Sequence, residues 1–228
     1  MDKSEELSPL FHYCSNDAFN KILESKQIWL SLLSLSNDAM EGKWIRKFVE
    51  NACRSEKISE HDQQSLLRHL DAFIEMAEAL GFCMSAGGDV LSQWRAYAGN
   101  GGGVSIGFDQ GTLKRLNESG LGGDRHLGFY LAEVCYDVDL QYERIKLILK
   151  SILEEVKSGV LRPPTGTIIT GDVGPEQEEA YWTKFRHWLM KFHYLFPHLY
   201  EMKNPAFREE CESRLIAILP TGVDKTNL

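Results

Sequence analysis

The sequence has no long hydrophobic run. No apolar stretch nears the roughly 18 residues of a membrane-crossing helix, so no helical span is expected. Positive charge is also scarce: 25 lysines and arginines stand against 33 acids, for a net charge of -8. Non-specific nucleic-acid binding depends on basic side chains neutralising phosphates, so this chain is poorly suited to it. Cysteine is sparse and scattered, at Cys14, Cys53, Cys83, Cys135 and Cys211. The number is odd and no pair has metal-ligand spacing, which argues for reduced, buried, inert thiols and a cytoplasmic protein. The opening "MDKSEELSPL" is acidic and does not read as a secretory leader.

Familiar chemical motifs are missing as well. There is no phosphate loop ending in Lys-Ser or Lys-Thr, no dinucleotide fingerprint, no nucleophile elbow and no His-Glu-x-x-His. His187, His193 and His198 are spaced by six and five residues, which does not align them on one helical face. No metal centre is expected from them.

What remains is ample core material. Hydrophobic residues make up 43% and aromatics 11% of the 228 residues, enough for one folded domain. Strands are expected near 9–14, 27–33, 80–85, 103–108, 129–137 and 211–219. Helical periodicity fills 41–57, 60–79, 89–98, 109–118, 139–158 and 176–195. Strands at the start, middle and end predict a single α+β domain with a central mixed or largely antiparallel sheet wrapped by helices. Residues 41–79 read as a helical insertion, and the Pro- and Gly-rich 159–175 as a mobile loop.

Three stretches carry polar groups where a core is expected. In "FHYCS", Phe11 and Tyr13 take one face of a strand and His12 the other. In "SLSNDAME", Asn37, Asp38 and Glu41 serve as helix caps or as the rim of a cleft. In "NPAFREECESRL", Glu210, Glu212 and Arg214 alternate, so a strand places all three on one face. Two neighbouring carboxylates raise one pKa unless a cation such as Arg214 neutralises them. A fourth stretch, "QWRAYAGNGGGVSIGFD", sets Trp94 and Tyr97 before four glycines and a strand. The glycines make a tight turn, or let a backbone approach a ligand closely.

These stretches, in order, resemble the bacterial family DUF2971. "LFHYCS" is similar to its opening His-Tyr strand, and "IWLSLLSLSNDAMEG" to its strand and Asn-Asp-x-x-Glu turn. "GFCMS", ending in Ser85, resembles its Cys-Phe-Ser strand, and "LSQWRAYAGNGGGVSIGFD" its Trp-x-x-Tyr and glycine turn. "KNPAFREECESRL" resembles its Lys, Phe-x-x-Glu-x-Glu-x-Arg ending. Met84, Ala39 and Ser213 depart from the pattern without removing a polar group from it.

The order of an early His-Tyr, a central aromatic and a late Glu also resembles ADP-ribosyltransferases of the nucleic-acid-modifying toxin type. That resemblance implies an NAD-using toxin or phage-defence effector. Cleaving the nicotinamide–ribose bond passes through a cation-like ribose, which a carboxylate stabilises. By resemblance, Glu212 or Glu210 is the catalytic acid and His12 holds ribose. Tyr97 or Trp94 stacks on the nicotinamide, and Tyr13 and Arg214 complete the cofactor site. Asn37, Asp38, Glu41 and Ser85 are further cleft candidates. Glycines 101–103 would start their strand close beneath the NAD. The acidic chain favours a protein, small-molecule or water acceptor over nucleic acid. The alternative class is a non-catalytic nucleotide-sensing or protein-interaction module.

Overall fold

The computed structural model describes residues 8–36, 38, 40, 42–119, 129–164 and 173–220. In chain order the elements are β1 (Leu10–Cys14), α1 (Asn16–Ser25), β2 (Ser31–Leu32), α2 (Ile45–Ser55) and α3 (Glu60–Glu75). Then come β3 (Ala77–Ser85), α4 (Leu91–Tyr97), β4 (Val104–Phe108), α5 (Gln110–Ser119) and β5 (Phe129–Glu133). The chain continues through α6 (Val138–Lys157), α7 (Pro175–Met190) and α8 (Phe196–Glu201) to β6 (Glu212–Pro220). The class is α+β, and every strand pairing among the described residues is antiparallel.

Two compact units emerge: Met1–Glu41, Ala77–Tyr136 and Lys203–Leu228 form one, and Gly42–Met76 with Asp137–Met202 the other. The second unit is helical. Its core gathers Ile145, Leu149, Leu66, Leu70, Trp188 and Phe192, and the Trp44 indole donates to Gln141 at 2.8 Å. The proposed loop at 159–175 falls partly on residues 165–172, outside the described ones.

The first unit holds the sheet, in the order β4-β1-β3-β6-β5. β6 alternates strictly. Ser213, Leu215, Ala217 and Leu219 take one face, and Leu215 packs with Leu10, Phe82, Met84 and Leu113 of α5. Glu212 and Arg214 take the other face. They lie opposite Ser85 and Cys83 of β3, and opposed residues in an antiparallel pair share a face.

Several boundaries differ from those expected. Helical periodicity over 60–79 ends at Glu75, because Ala77, Glu78 and Ala79 pair with Pro220, Leu219 and Ile218. Pairing with a long central strand overrides the helix preference of alanine and glutamate. The strand at 27–33 shrinks to Ser31–Leu32, followed by a 3-10 turn at Leu33–Leu35. Cys211 is exposed, which corrects the expectation that all five thiols are buried; none of the five is in a disulfide.

One consequence of this topology matters for function. β1 and β2 both pair with the same edge of β3, β1 at Ser85 and β2 at Leu80 and Gly81. Between them the edge forks at Phe82–Met84. The His12 side chain enters this fork and donates from Nδ1 to the Cys83 carbonyl at 2.8 Å. A side chain thus replaces a missing ladder bond.

The glycine run works at the other end of β1. Gly99, Asn100 and Gly101 have positive φ values of 56°, 55° and 91°, so the run is a tight left-handed turn. At Gly103 a Cβ would collide with the Cys14 carbonyl and crowd Ala98. The close approach at Gly103 is therefore to the chain's own backbone, whereas Gly101 has open space around it. Gly103→Ala is expected to cost about 1–3 kcal/mol in a denaturant titration. Gly102→Ala, at φ -88° with an added Cβ 3.4 Å from the nearest atom, should be nearly silent. Equal effects at the two positions would overturn this account.

Candidate functional site

The residues around Glu212 are brought together by a sharp local reversal. Asn204 caps a 3-10 turn at Pro205–Glu210 by accepting from the Ala206 N–H at 3.0 Å. Cys211 then adopts φ 43°, the left-handed region that few non-glycine residues occupy. β6 begins at the next residue. Glu210 is therefore not on the strand, which corrects the expected alternation of three charges along one strand face. Only Glu212 and Arg214 alternate. Glu210 returns beside them through the Cys211 kink, fixed by the Ser85 hydroxyl donating to its carbonyl at 2.7 Å.

Lys203 completes the cluster. Its Nζ lies 2.6 Å from Glu210 Oε2 and 3.0 Å from Glu212 Oε2. Arg214 grips Glu212 with two bonds, Nε to Oε1 at 2.7 Å and Nη2 to Oε2 at 2.9 Å. All four residues are between 1% and 7% exposed, so this is a buried network in which, among the described residues, two cations offset two anions. Burial pushes the Glu212 carboxyl up, but Arg214 and Lys203 overcome that and hold it at about 2. Burial pushes the Lys203 amine down, and Glu212 and Glu210 more than reverse it. Both oxygens of Glu212 are engaged. Glu210 uses only Oε2, and its Oε1 accepts no bond among the described residues.

This network forms one wall of a cavity of about 400 Å³. His12, Tyr13, Cys83, Gln93 and Tyr97 line it together with Glu210, Glu212 and Arg214. Leu33, Leu35 and Ser36 close another side. His12 and Tyr13 face opposite ways along β1, yet both reach the cavity, because His12 lies in the fork. Burial lowers the His12 pKa, with the Cys83 carbonyl partly opposing, so the ring is neutral at pH 7. Its Nδ1 carries the proton, which leaves Nε2 as an acceptor. The Tyr13 hydroxyl donates to Gly87 O at 2.7 Å and accepts from Val90 N at 2.9 Å, fixing the loop that leads into α4. The Cys83 thiol is raised well above its ordinary value, by burial first and then by Glu212, so it is an inert thiol and not a nucleophile.

The other sequence candidates separate from this group. Trp94 packs edge-on against Tyr13, with ring centroids 5.1 Å apart, and donates to Asp89 at 2.8 Å. It supports Tyr13 from behind and does not line the cavity. Ser85 also lies behind the wall, bonded to Glu210. Asp38 is buried and accepts from the Met40 N–H at 2.9 Å, which is a turn role. Asn37 and Glu41 lie outside the described residues. Lys203 and Gln93 were not among the sequence candidates. Lys203 had a signal in the "KNP" turn, which folds the chain back toward Glu210. Among the described residues no group of three or more His, Cys, Asp or Glu could hold a metal, and no helix is long and apolar enough to cross a membrane.

The fold and the buried network together define an α+β protein with a small-molecule-sized cavity at a forked sheet edge. The family model described as "Protein of unknown function (DUF2971)" matches residues 93–215, just over half of the chain, and the chain belongs to that family. The match covers Gln93, Tyr97, Lys203, Glu210, Glu212 and Arg214. No curated protein and no solved structure matches the chain.

Proposed function

We propose that this cavity binds NAD and opens its nicotinamide–ribose bond, in the manner of an ADP-ribosyltransferase or NAD glycohydrolase. One observation carries the reading: two carboxylates, a neutral histidine and two tyrosine rings meet in one cavity of about 400 Å³. A positively charged nicotinamide ring suits a wall with carboxylate oxygens and an aromatic face. Glu212 is occupied by Arg214 and Lys203, so the carboxylate that meets the ligand is Glu210, through Oε1. It accepts from a ribose hydroxyl and faces the charge that develops as the C1′–N bond breaks. The bonding pair leaves with nicotinamide, and an acceptor (water or a partner protein's nucleophile) adds to C1′ and gives up a proton. His12 Nε2 accepts from a second hydroxyl.

A second reading has its own support. Among the described residues Arg214 and Lys203 balance Glu210 and Glu212, so this network offers no net charge with which to stabilise a ribose cation. A nucleotide sensor that binds without turnover fits that balance. Calorimetry with NAD and a nicotinamide-release assay separate the two. Under the first reading Glu210→Gln lowers release by about 10²–10³-fold. Binding without release, in the presence of cell extract as acceptor source, favours the sensor. Absence of both overturns the site.

A further inference from the structure

His12 borders two cavities. Across the fork from the one already described is another of about 420 Å³, and His12, Ser31, Gly81 and Cys83 line both. Phe82 lines only this second one, where Met84 lines only the first. The His12 ring, stacked on Phe82 at 4.1 Å, stands between them. No β1 or β2 residue pairs with Phe82, Cys83 or Met84 among the described residues, so His12 lies at the unpaired stretch of the β3 edge.

The chemistry of the two chambers differs. The first has the buried carboxylates. The second has Trp29, which is 70% exposed, and Lys21 and Asp17 on α1. Neither Trp29 nor Lys21 has a described partner that accounts for it: no ion pair holds Lys21, and no ring stacks on Trp29 among the described residues. A flat, unstacked indole beside an unpaired ammonium suits a nucleobase with its phosphate.

We infer that the second cavity is the other compartment of a two-part ligand site, taking the base-and-phosphate half of a dinucleotide while the first takes the half that bears the reactive ribose. This rests on the NAD reading of the first cavity. The geometry adds that the two halves meet at His12, so the phosphate bridge crosses the forked edge of β3. Gly81 lines both cavities, and an added Cβ there would have to displace the Leu33 side chain.

Calorimetry with NAD, nicotinamide mononucleotide and AMP tests the inference on the full chain. Trp29 and Lys21 are exposed, so Trp29→Ala and Lys21→Ala leave the fold intact. Trp29→Ala is expected to weaken NAD and AMP about tenfold, as loss of one stacked base does, and to leave nicotinamide mononucleotide unchanged. Glu210→Gln should show the reverse pattern. If NAD binds and neither Trp29→Ala nor Lys21→Ala changes NAD or AMP affinity, the second compartment is wrong and the first reading stands. If AMP binds in a Trp29-dependent way while nicotinamide mononucleotide and NAD do not depend on Glu210, the first reading fails and the second cavity stands alone. If none of the three binds at millimolar concentration, both are overturned.

Discussion

Arg214→Leu is expected to destabilise the protein by about 3–5 kcal/mol, the usual effect of breaking a buried ion pair by removing one partner. Arg214 is 1% exposed and supplies two of the three cationic hydrogen bonds on Glu212. The loss comes mainly from the carboxylate left behind, not from the missing attraction. Removing Glu212 as well, in Glu212→Leu with Arg214→Leu, should therefore recover part of the stability. The pH dependence adds a second check. Glu212 has a folded pKa of about 2 against an ordinary 4.5. A depressed carboxyl pKa contributes stability that is complete above 4.5 and lost as pH falls through about 2. In Arg214→Leu that contribution is already gone, so the gap between wild type and variant narrows as pH falls across this window. Denaturant midpoints at several pH values measure both effects. A loss below about 1 kcal/mol at pH 7 would mean that the network is solvated, as surface pairs are.

The α+β class was legible because both periodicities are clean. "FHYCS" alternates as a strand, "LIAIL" is the short apolar run of a strand buried on both faces, and Ser15 and Ser59 cap α1 and α3 by accepting from Ala18 and Asp62. The site was legible only in part, for reasons of geometry. Alternation placed Glu212 and Arg214 on one face. It could not show that Cys211 takes a left-handed conformation, since neither glycine nor asparagine stands there to announce it. Trp94 and Tyr97 are three residues apart on one helix face, so sequence alone offers both. Packing against Tyr13 decides which of them reaches the cavity. Strand periodicity puts His12 and Tyr13 on opposite faces, although the family resemblance placed both at the cofactor. They converge because two strands share one edge of β3, a non-local event that no local pattern encodes.

Lys203→Met should have the other large effect, and it should reverse the sign of the pH response. Lys203 bridges Glu210 and Glu212, at 2.6 and 3.0 Å, and is 2% exposed. Without the ammonium, Arg214 remains as one cation facing two buried carboxylates. Two carboxylates in reach of a single former partner cannot both stay ionised cheaply, so the pair takes up a proton above the ordinary carboxyl range. A carboxyl pKa raised in the folded state destabilises at pH values above the unfolded pKa, and the penalty grows until pH passes the raised value. The variant is therefore closer to wild type at pH 4.5 and below than at neutral pH, where it lies about 3–5 kcal/mol lower. Adding Glu210→Gln to Lys203→Met removes the surplus charge and should restore most of the loss at pH 7. The same arithmetic bears on the ligand. Among the described residues the network loses one positive charge, so the variant should bind the cationic nicotinamide mononucleotide ring more tightly at pH 8 than wild type does. A merely structural lysine would not produce that gain. Equal destabilisation at pH 4.5 and pH 8, or no rescue by Glu210→Gln, would show that Lys203 acts through packing against Phe207, 4.8 Å from its ring centroid, and not through charge.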